Sequence, residues 1–322
     1  MSVNDCADIM KNKSVRKSLK ASDFEKAFSD KLSARVRAKI NGYNFVYTDI
    51  VPKERDYWIR RLVDVLLDPN LVFSGKHRIS QWEKGWGQNL GELDKRDKIA
   101  AVTPHYFGKY PIVRFNQAFI KPLSKNFERN TLYAIQNWLF DKYLKGADDI
   151  YEFGCGTGHN LLLAREYNPT AKICGLDWAT SSQRIIDKLA KELADKRLFA
   201  HNFDFFAPDN KFKLGKNSVV YTVAALEQVG PDYGKFLNYL LKNKPKLCFH
   251  IEPIGELLDQ NNLLDYLSVR YFEKRRYLQG FLDHLKKLEG AGKIRVIRAQ
   301  RSFVGSLFID GYSVIVWSPM RL

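Results

Sequence analysis

The stretch from Ile150 to His159 reads Ile-Tyr-Glu-Phe-Gly-Cys-Gly-Thr-Gly-His, and it constrains the fold more than any other part of the chain. A short apolar run leads into it, and an amphipathic segment, Asn160 to Tyr167, leads out. Three glycines in five positions let the backbone turn sharply and let a ligand approach with no Cβ in the way. A helix starting from such a turn presents the unpaired N–H groups of its first turn. A dinucleotide loop, G-x-G-x-x-G, would need glycine at position 159, where His stands; the third glycine here is Gly158. The segment predicts strand, turn and helix, with a binding loop for a nucleoside ligand of another kind.

The rhythm around this loop sets the fold class. Phe127 to Tyr143 reads as a helix, with Leu132, Ile135, Leu139 and Tyr143 recurring every three to four residues, and Gly146 follows as a stop. After the loop, AKICGLDW, RLFAHNFDF, NSVVYTVAAL and KLCFHIEPI read as strands, with helices expected over Ser181–Ala194 and Tyr233–Leu241. Short apolar runs alternating with helices imply βαβ units and a parallel sheet, with its ligand crevice at the carboxyl ends of the strands. KIRVIRAQ and GYSVIVWSP have no long helix between them and predict an antiparallel hairpin. The expected fold is α/β, a doubly wound, mostly parallel seven-stranded sheet ending in that hairpin.

Residues 1–124 are expected to form a mainly helical extension, and 125–322 the sheet domain. Phe28, Leu32 and Val36 anchor helical turns between Ala21 and Ile40, and DYWIRRLVDVLL from Asp56 to Leu67 reads as a helix ending at Asp68-Pro69. SQWEKGWGQNLGEL, with Gly85, Gly87 and Gly91 among Trp82 and Trp86, reads as an ordered loop.

Composition excludes several classes. Hydrophobic residues make up 45% of the 322 and charged residues 27%, a balance too apolar for a disordered chain. The net charge of +16 is spread along the sequence and not gathered in one arm, so affinity for anionic ligands is expected and a nucleic-acid surface is not favoured. Cys6, Cys155, Cys174 and Cys248 form no C-x-x-C pair and no zinc-ligand spacing, so no metal is expected. The start of the sequence has no apolar signal stretch, and no window has 18 uncharged apolar residues, so a cytoplasmic location without membrane insertion is expected.

The E-x-G-x-G-x-G pattern of Glu152 to Gly158 resembles motif I of class I S-adenosylmethionine-dependent methyltransferases, and three further hallmarks follow in order over residues 125–322. The resemblance implies S-adenosylmethionine as cofactor, with Glu152 near its methionine end and Gly154, Gly156 and Gly158 lining it. It implies that Asp177, 19 residues after Gly158 with Trp178 beside it, binds the ribose hydroxyls. A carboxylate suits a vicinal diol because it can accept two hydrogen bonds. Asp204 is the residue expected to bond the adenine amino group, with Phe203 or Phe205 packing on the base. Glu227-Gln228 occupies the segment after the fourth strand. IYEFGCGTGHNLL, ALEQVG and HIEPIGEL also resemble uncharacterised methyltransferase-like proteins of bacterial surface-polysaccharide assembly.

The resemblance implies methyl transfer to a small-molecule or saccharide acceptor, such as a sugar or nucleotide-sugar hydroxyl. The alternatives are an RNA or protein methyltransferase, or a non-catalytic cofactor-binding assembly partner. The Asp/Asn-Pro-Pro-aromatic signature of DNA base methylation is missing; ALEQ stands there. An oxygen nucleophile needs a base, and the candidates near the strand ends are Glu227, His250 and Glu252. His250 and Glu252 alternate with Ile251 and point to one face of their strand; a buried His–carboxylate pair is the plainer alternative. Arg270, Arg275 and Arg276 among Tyr271 and Tyr277 are candidates to hold an anionic part of a substrate, or form a solvated helix face. Trp82, Trp86, Tyr106 and Arg114 are the upstream candidates to cap the cofactor or shape the acceptor pocket, with packing in the core as the plainer alternative for the tryptophans. His159 is expected to cap the helix or face solvent.

Overall fold

The computed structural model describes residues 15–320 apart from 94, 96 and 97, and Cys6 lies outside them. The strands are β1 (Arg16–Ser18), β2 (Val46–Asp49), β3 (Val113–Phe115), β4 (Ala118–Pro122), β5 (Asp149–Phe153), β6 (Lys172–Asp177), β7 (Leu198–Asn202), β8 (Ser218–Val223), β9 (Leu247–Glu252), β10 (Ile294–Gln300), β11 (Val304–Gly305) and β12 (Ser313–Pro319). The α-helices are α1 (Ala21–Phe28), α2 (Ala34–Gly42), α3 (Pro52–Leu67), α4 (Ile79–Glu92), α5 (Lys98–Val102), α6 (Phe127–Tyr143), α7 (His159–Tyr167), α8 (Thr180–Glu192), α9 (Gly234–Asn243), α10 (Leu263–Arg275) and α11 (Phe281–Gly290).

The main sheet runs β10-β12-β9-β8-β5-β6-β7. β7, β6, β5, β8 and β9 are mutually parallel, and β12 enters antiparallel between β9 and β10. β8, Ser-Val-Val-Tyr-Thr-Val, is buried along its whole length, as a strand covered on both faces must be. The chain order reverses between β5 and β8, and that switch point places the crevice over the carboxyl ends of β5, β6 and β8.

The upstream part departs from a mainly helical extension. It carries α1 to α5, but also most of a second, antiparallel sheet, β1-β2-β4-β3-β11. Its strands are two to five residues long, too short to show a period, and β11 comes from the loop between β10 and β12, where Val304 pairs with Phe115 and Gly305 with Arg114. Pairing between positions so far apart leaves no local sequence signal.

The expected loop from Ser80 to Leu93 is instead helix α4. Each glycine there lowers helix propensity by about 1 kcal/mol. Packing outweighs this loss, because Trp82, Trp86 and Asn89 fall on one face. The two indoles stack with centroids 5.4 Å apart, and buried Asn89 donates to the carbonyls of Ala101 and Thr103 at 2.7 and 3.1 Å.

α6 joins the two parts. It buries Asn130, Gln136 and Asn137 along with its apolar residues because it lies between the small sheet and the large one. Gln136 donates to Asn160 at 2.6 Å while its own amide oxygen has no partner, and Asn137 accepts from the Tyr167 hydroxyl at 2.6 Å. One apolar core runs through, containing Phe24, Phe28 and Phe45 with Ile135, Trp138 and Phe140. Phe28, fully buried, stacks on Trp138 at 4.6 Å. We expect Phe28→Ala to cost about 3–5 kcal/mol in urea unfolding; a loss under about 1 kcal/mol would mean that this junction is not part of the shared core.

Candidate active site

Two joined cavities open at the switch point. One, of about 60 Å³, is lined by Asp177, Trp178, Phe205, Phe206, Ala225 and Val229 among others. The other, of about 270 Å³, is lined by Gly154 to Thr157, Glu128, His159, Asn160, Glu227, Arg275 and a group of tyrosines. Trp82, Trp86, Gly154, Ala224 and Gln228 border both.

The floor is the glycine turn after β5. Gly154 sits at φ +75, and a Cβ there would overlap that of Ala225; Gly156 sits at φ +52, and a Cβ would come 2.9 Å from the Trp86 ring. Larger residues are barred twice, by conformation and by the wall opposite. Gly158 adopts φ +74 at the start of α7. Ser182 fastens the turn by donating to the Gly156 carbonyl.

Asp177 ends β6 beside this turn, with 6% of its surface exposed. Its two oxygens accept from the Gly156 N–H and the Ala179 N–H, each at 2.9 Å. Each oxygen keeps a second lone pair for a diol. Burial raises its carboxyl to about 6, opposed by those N–H donors, so it is largely ionised at neutral pH. Trp178 and Phe206 stack at 5.9 Å and, with Phe205, form an aromatic slot next to it.

Helix α4 roofs the cavities and is fastened around the rim. Ser181, in the first turn of α8, donates its N–H to the Glu83 carboxylate at 3.0 Å. Arg78 donates to Gln228 at 2.5 Å, and Lys76 pairs with Asp204 at 2.9 Å.

Several expected site residues stand elsewhere. Asp204 does not line the cavity: one oxygen accepts from the Phe206 N–H at 2.8 Å and the other meets Lys76, so it shapes the turn that presents Phe205 and Phe206. Glu152 is fully buried beneath the floor, accepting from Asn160 at 2.6 Å and from the Tyr221 hydroxyl at 3.1 Å. It positions Asn160, which does line the cavity. His250 has no free base. Its Nε2 accepts the Trp317 indole N–H at 3.0 Å, which leaves its proton on Nδ1, facing the Thr222 hydroxyl at 2.9 Å. Burial pushes it down to about 3. Glu252 accepts from the backbone N–H groups of Ala225, Leu226 and Glu227 at 3.0, 3.1 and 3.2 Å, and is occupied holding that turn. Arg114 is buried and donates to the carbonyls of Leu264, Leu307 and Phe308, away from the cavity. Arg270 pairs with Glu273, and Arg276 lies over Phe73.

Of the three candidate catalytic residues, Glu227 alone borders the cavity. Gln228 donates to it at 2.7 Å. Burial, then the charge of Glu252, raises it to about 8. Sequence reasoning missed Glu128, which accepts the Gly108 N–H at 2.8 Å and is pushed up to about 7 by burial; at the start of a helix it reads as an ordinary first-turn acid. Arg78 gave no signal. His159 is buried, not solvent-facing. The Thr157 hydroxyl donates to the Val102 carbonyl at 2.5 Å, so its oxygen accepts the His159 Nδ1 proton and leaves Nε2 as a partnerless acceptor. Among the described residues no three His, Cys, Asp or Glu side chains group as metal ligands, and no helix is long and apolar enough to cross a membrane.

No protein-family model matches the sequence, and no curated protein matches it. Solved structures with a similar backbone include a magnesium protoporphyrin IX methyltransferase from Synechocystis with bound SAH (16% identity, TM-score 0.44, 60% of this chain and 83% of that one). Another is the geranyl diphosphate C-methyltransferase of Streptomyces coelicolor (11%, 0.47, 77% and 100%). A third is the methyltransferase domain of bacterial CtHen1 (18%, 0.43, 59% and 96%). Similarities this low carry no weight for function.

The buried carboxyls make stability pH-dependent. Burial raises Glu152, like Glu227, to about 8, while in the unfolded chain both give up their protons near 4.5. The folded state therefore binds more protons between these values, so stability is full below the lower one and falls as pH rises through the upper. We expect the Tm to drop from about pH 6 to about pH 9, and Glu227→Gln, neutral throughout, to reduce the drop. A wild-type Tm that rises over this range would contradict the burial of these groups.

Proposed function

We propose that this protein is an S-adenosylmethionine-dependent methyltransferase acting on an oxygen of a small acceptor, saccharide hydroxyls included. The observation that carries the reading is Asp177. Its carboxylate stands between the amide of Gly156 and the Trp178–Phe206 slot, so one residue borders a cradle without side chains and an aromatic cleft. These residues fit the cofactor. Asp177 would hold the ribose diol and Phe205 and Phe206 would flank the base, while Gly154 and Gly156 leave room that a Cβ would fill. Bound there, the cofactor supplies an electrophilic sulfonium methyl group.

The chain's own part is to position, to exclude water and to take a proton. Positioning provides much of the acceleration in an in-line transfer. Trp82 and Trp86 of α4 cover the junction of the two cavities. Glu227 is the residue we assign as base toward an acceptor hydroxyl, because it borders the larger cavity and its raised proton affinity suits that task near neutral pH. We assign residues 1–124 as the roof and acceptor-binding part, and 125–322 as the cofactor-binding part.

Calorimetry with S-adenosylhomocysteine tests the reading. We expect binding to the wild-type protein, weakened about tenfold or more in Asp177→Asn, which loses an ionised acceptor worth about 1.5–3 kcal/mol. Absence of heat with the wild type would remove the proposal.

A further inference from the structure

The larger cavity holds two guanidinium groups that no carboxylate balances at close range. Arg78, 7% exposed, directs Nε to Gln81 at 3.1 Å and one Nη to Gln228 at 2.5 Å, both neutral amides. Arg275 lies over the rings of Tyr271 and Tyr277 at 5.8 and 5.2 Å, and its Nε has no hydrogen-bond partner. Among the described residues neither has a carboxylate within ion-pair distance. They are also held together: the Ser74 N–H donates to the Arg275 carbonyl at 2.7 Å, stitching the segment that leads to Arg78 onto the end of α10. Each guanidinium therefore stands in the field of a like charge, and Arg78 loses proton affinity to burial first and to Arg275 second. With Lys109 the cavity has three cations against Glu128 and Glu227, so positive charge prevails even when both acids are ionised.

Like charges kept close, one buried and the other half-buried, with Glu227 acting on both only from beyond ion-pair distance, cost stability unless a ligand supplies a counter-ion. We propose that the Arg78–Arg275 pair anchors an anionic group, a carboxylate or a phosphate monoester, on the small acceptor. Guanidinium forks match both groups, and an anion between them removes their mutual repulsion. Tyr106, Tyr277 and Tyr312 offer aromatic walls for the rest of that molecule, with Glu227 on the same cavity. The identification of this ligand as the acceptor rests on the methyltransferase reading; the anion site itself does not.

The test is calorimetry of the full-length protein with phenyl phosphate, benzoate and neutral phenol, in parallel with S-adenosylhomocysteine. We expect phenyl phosphate or benzoate, whichever matches the site, to bind wild type at least about tenfold tighter than phenol. Arg275→Gln and Arg78→Gln should each weaken that anion by about ten- to a hundredfold while phenol is unchanged. Arg275→Lys, which keeps the charge, should lose less. Anion binding without any S-adenosylhomocysteine binding upholds the site and removes the methyltransferase reading. Wild-type protein that binds both anions no better than phenol overturns the proposal, whatever the variants do. So does undiminished anion binding in folded Arg275→Gln.

Discussion

The Glu252 carboxylate at the end of β9 takes the N–H groups of three consecutive residues, Ala225, Leu226 and Glu227, in the turn after β8. That turn begins with Ala224 at φ 48, a left-handed conformation that disfavours residues with a Cβ. A strained turn of this kind persists only where its surroundings over-determine it. The cavity wall on this side depends on it. Ala225 is set against Gly154, and Glu227 and Gln228 are brought to the cavity. The residue that seemed chemical from its place on the strand is thus the brace for the one that borders the cavity.

A second layer of bracing comes from the upstream segment. Arg78, Lys76 and Glu83 each reach a different part of the sheet domain, respectively the turn after β8, the turn after β7 and the start of α8. The roof over the crevice is held by polar contacts at its rim and by two stacked indoles at its centre. Arg78 and Ser181 are buried at that rim, Lys76 is exposed, and the two indoles are half-buried.

The sheet domain was largely legible because its signals are local. Phe127–Tyr143 has a helical period, and the β5 turn needs glycine at positions that can be counted. Asp177 could be placed because it directly follows its strand's apolar run. Asp204 and His250 show where such reasoning stops. Both stand at plausible chain positions, yet Asp204 turns to Lys76 and lies outside the cavity lining, and Trp317 occupies the ring nitrogen of His250 that a base would need. Helix α4 was hidden by its glycines, since tertiary packing overrode propensity. Arg78 and Glu128 were invisible for the same reason: only the fold turns two unrelated segments toward one cavity.

The small sheet carries a consequence for how the chain assembles during synthesis. β3 and β4 form a local pair, but the outer edge of β3 is completed by Val304 and Gly305, almost two hundred residues later. Until those residues leave the ribosome, β3 presents unpaired backbone groups, an edge open to mispairing with other chains. Closure of this long loop must also wait for entropy to be overcome by contacts made at the end. Between the synthesis of β3 and that of β11 the nascent protein therefore carries this edge open, and its length of three residues limits what can pair with it.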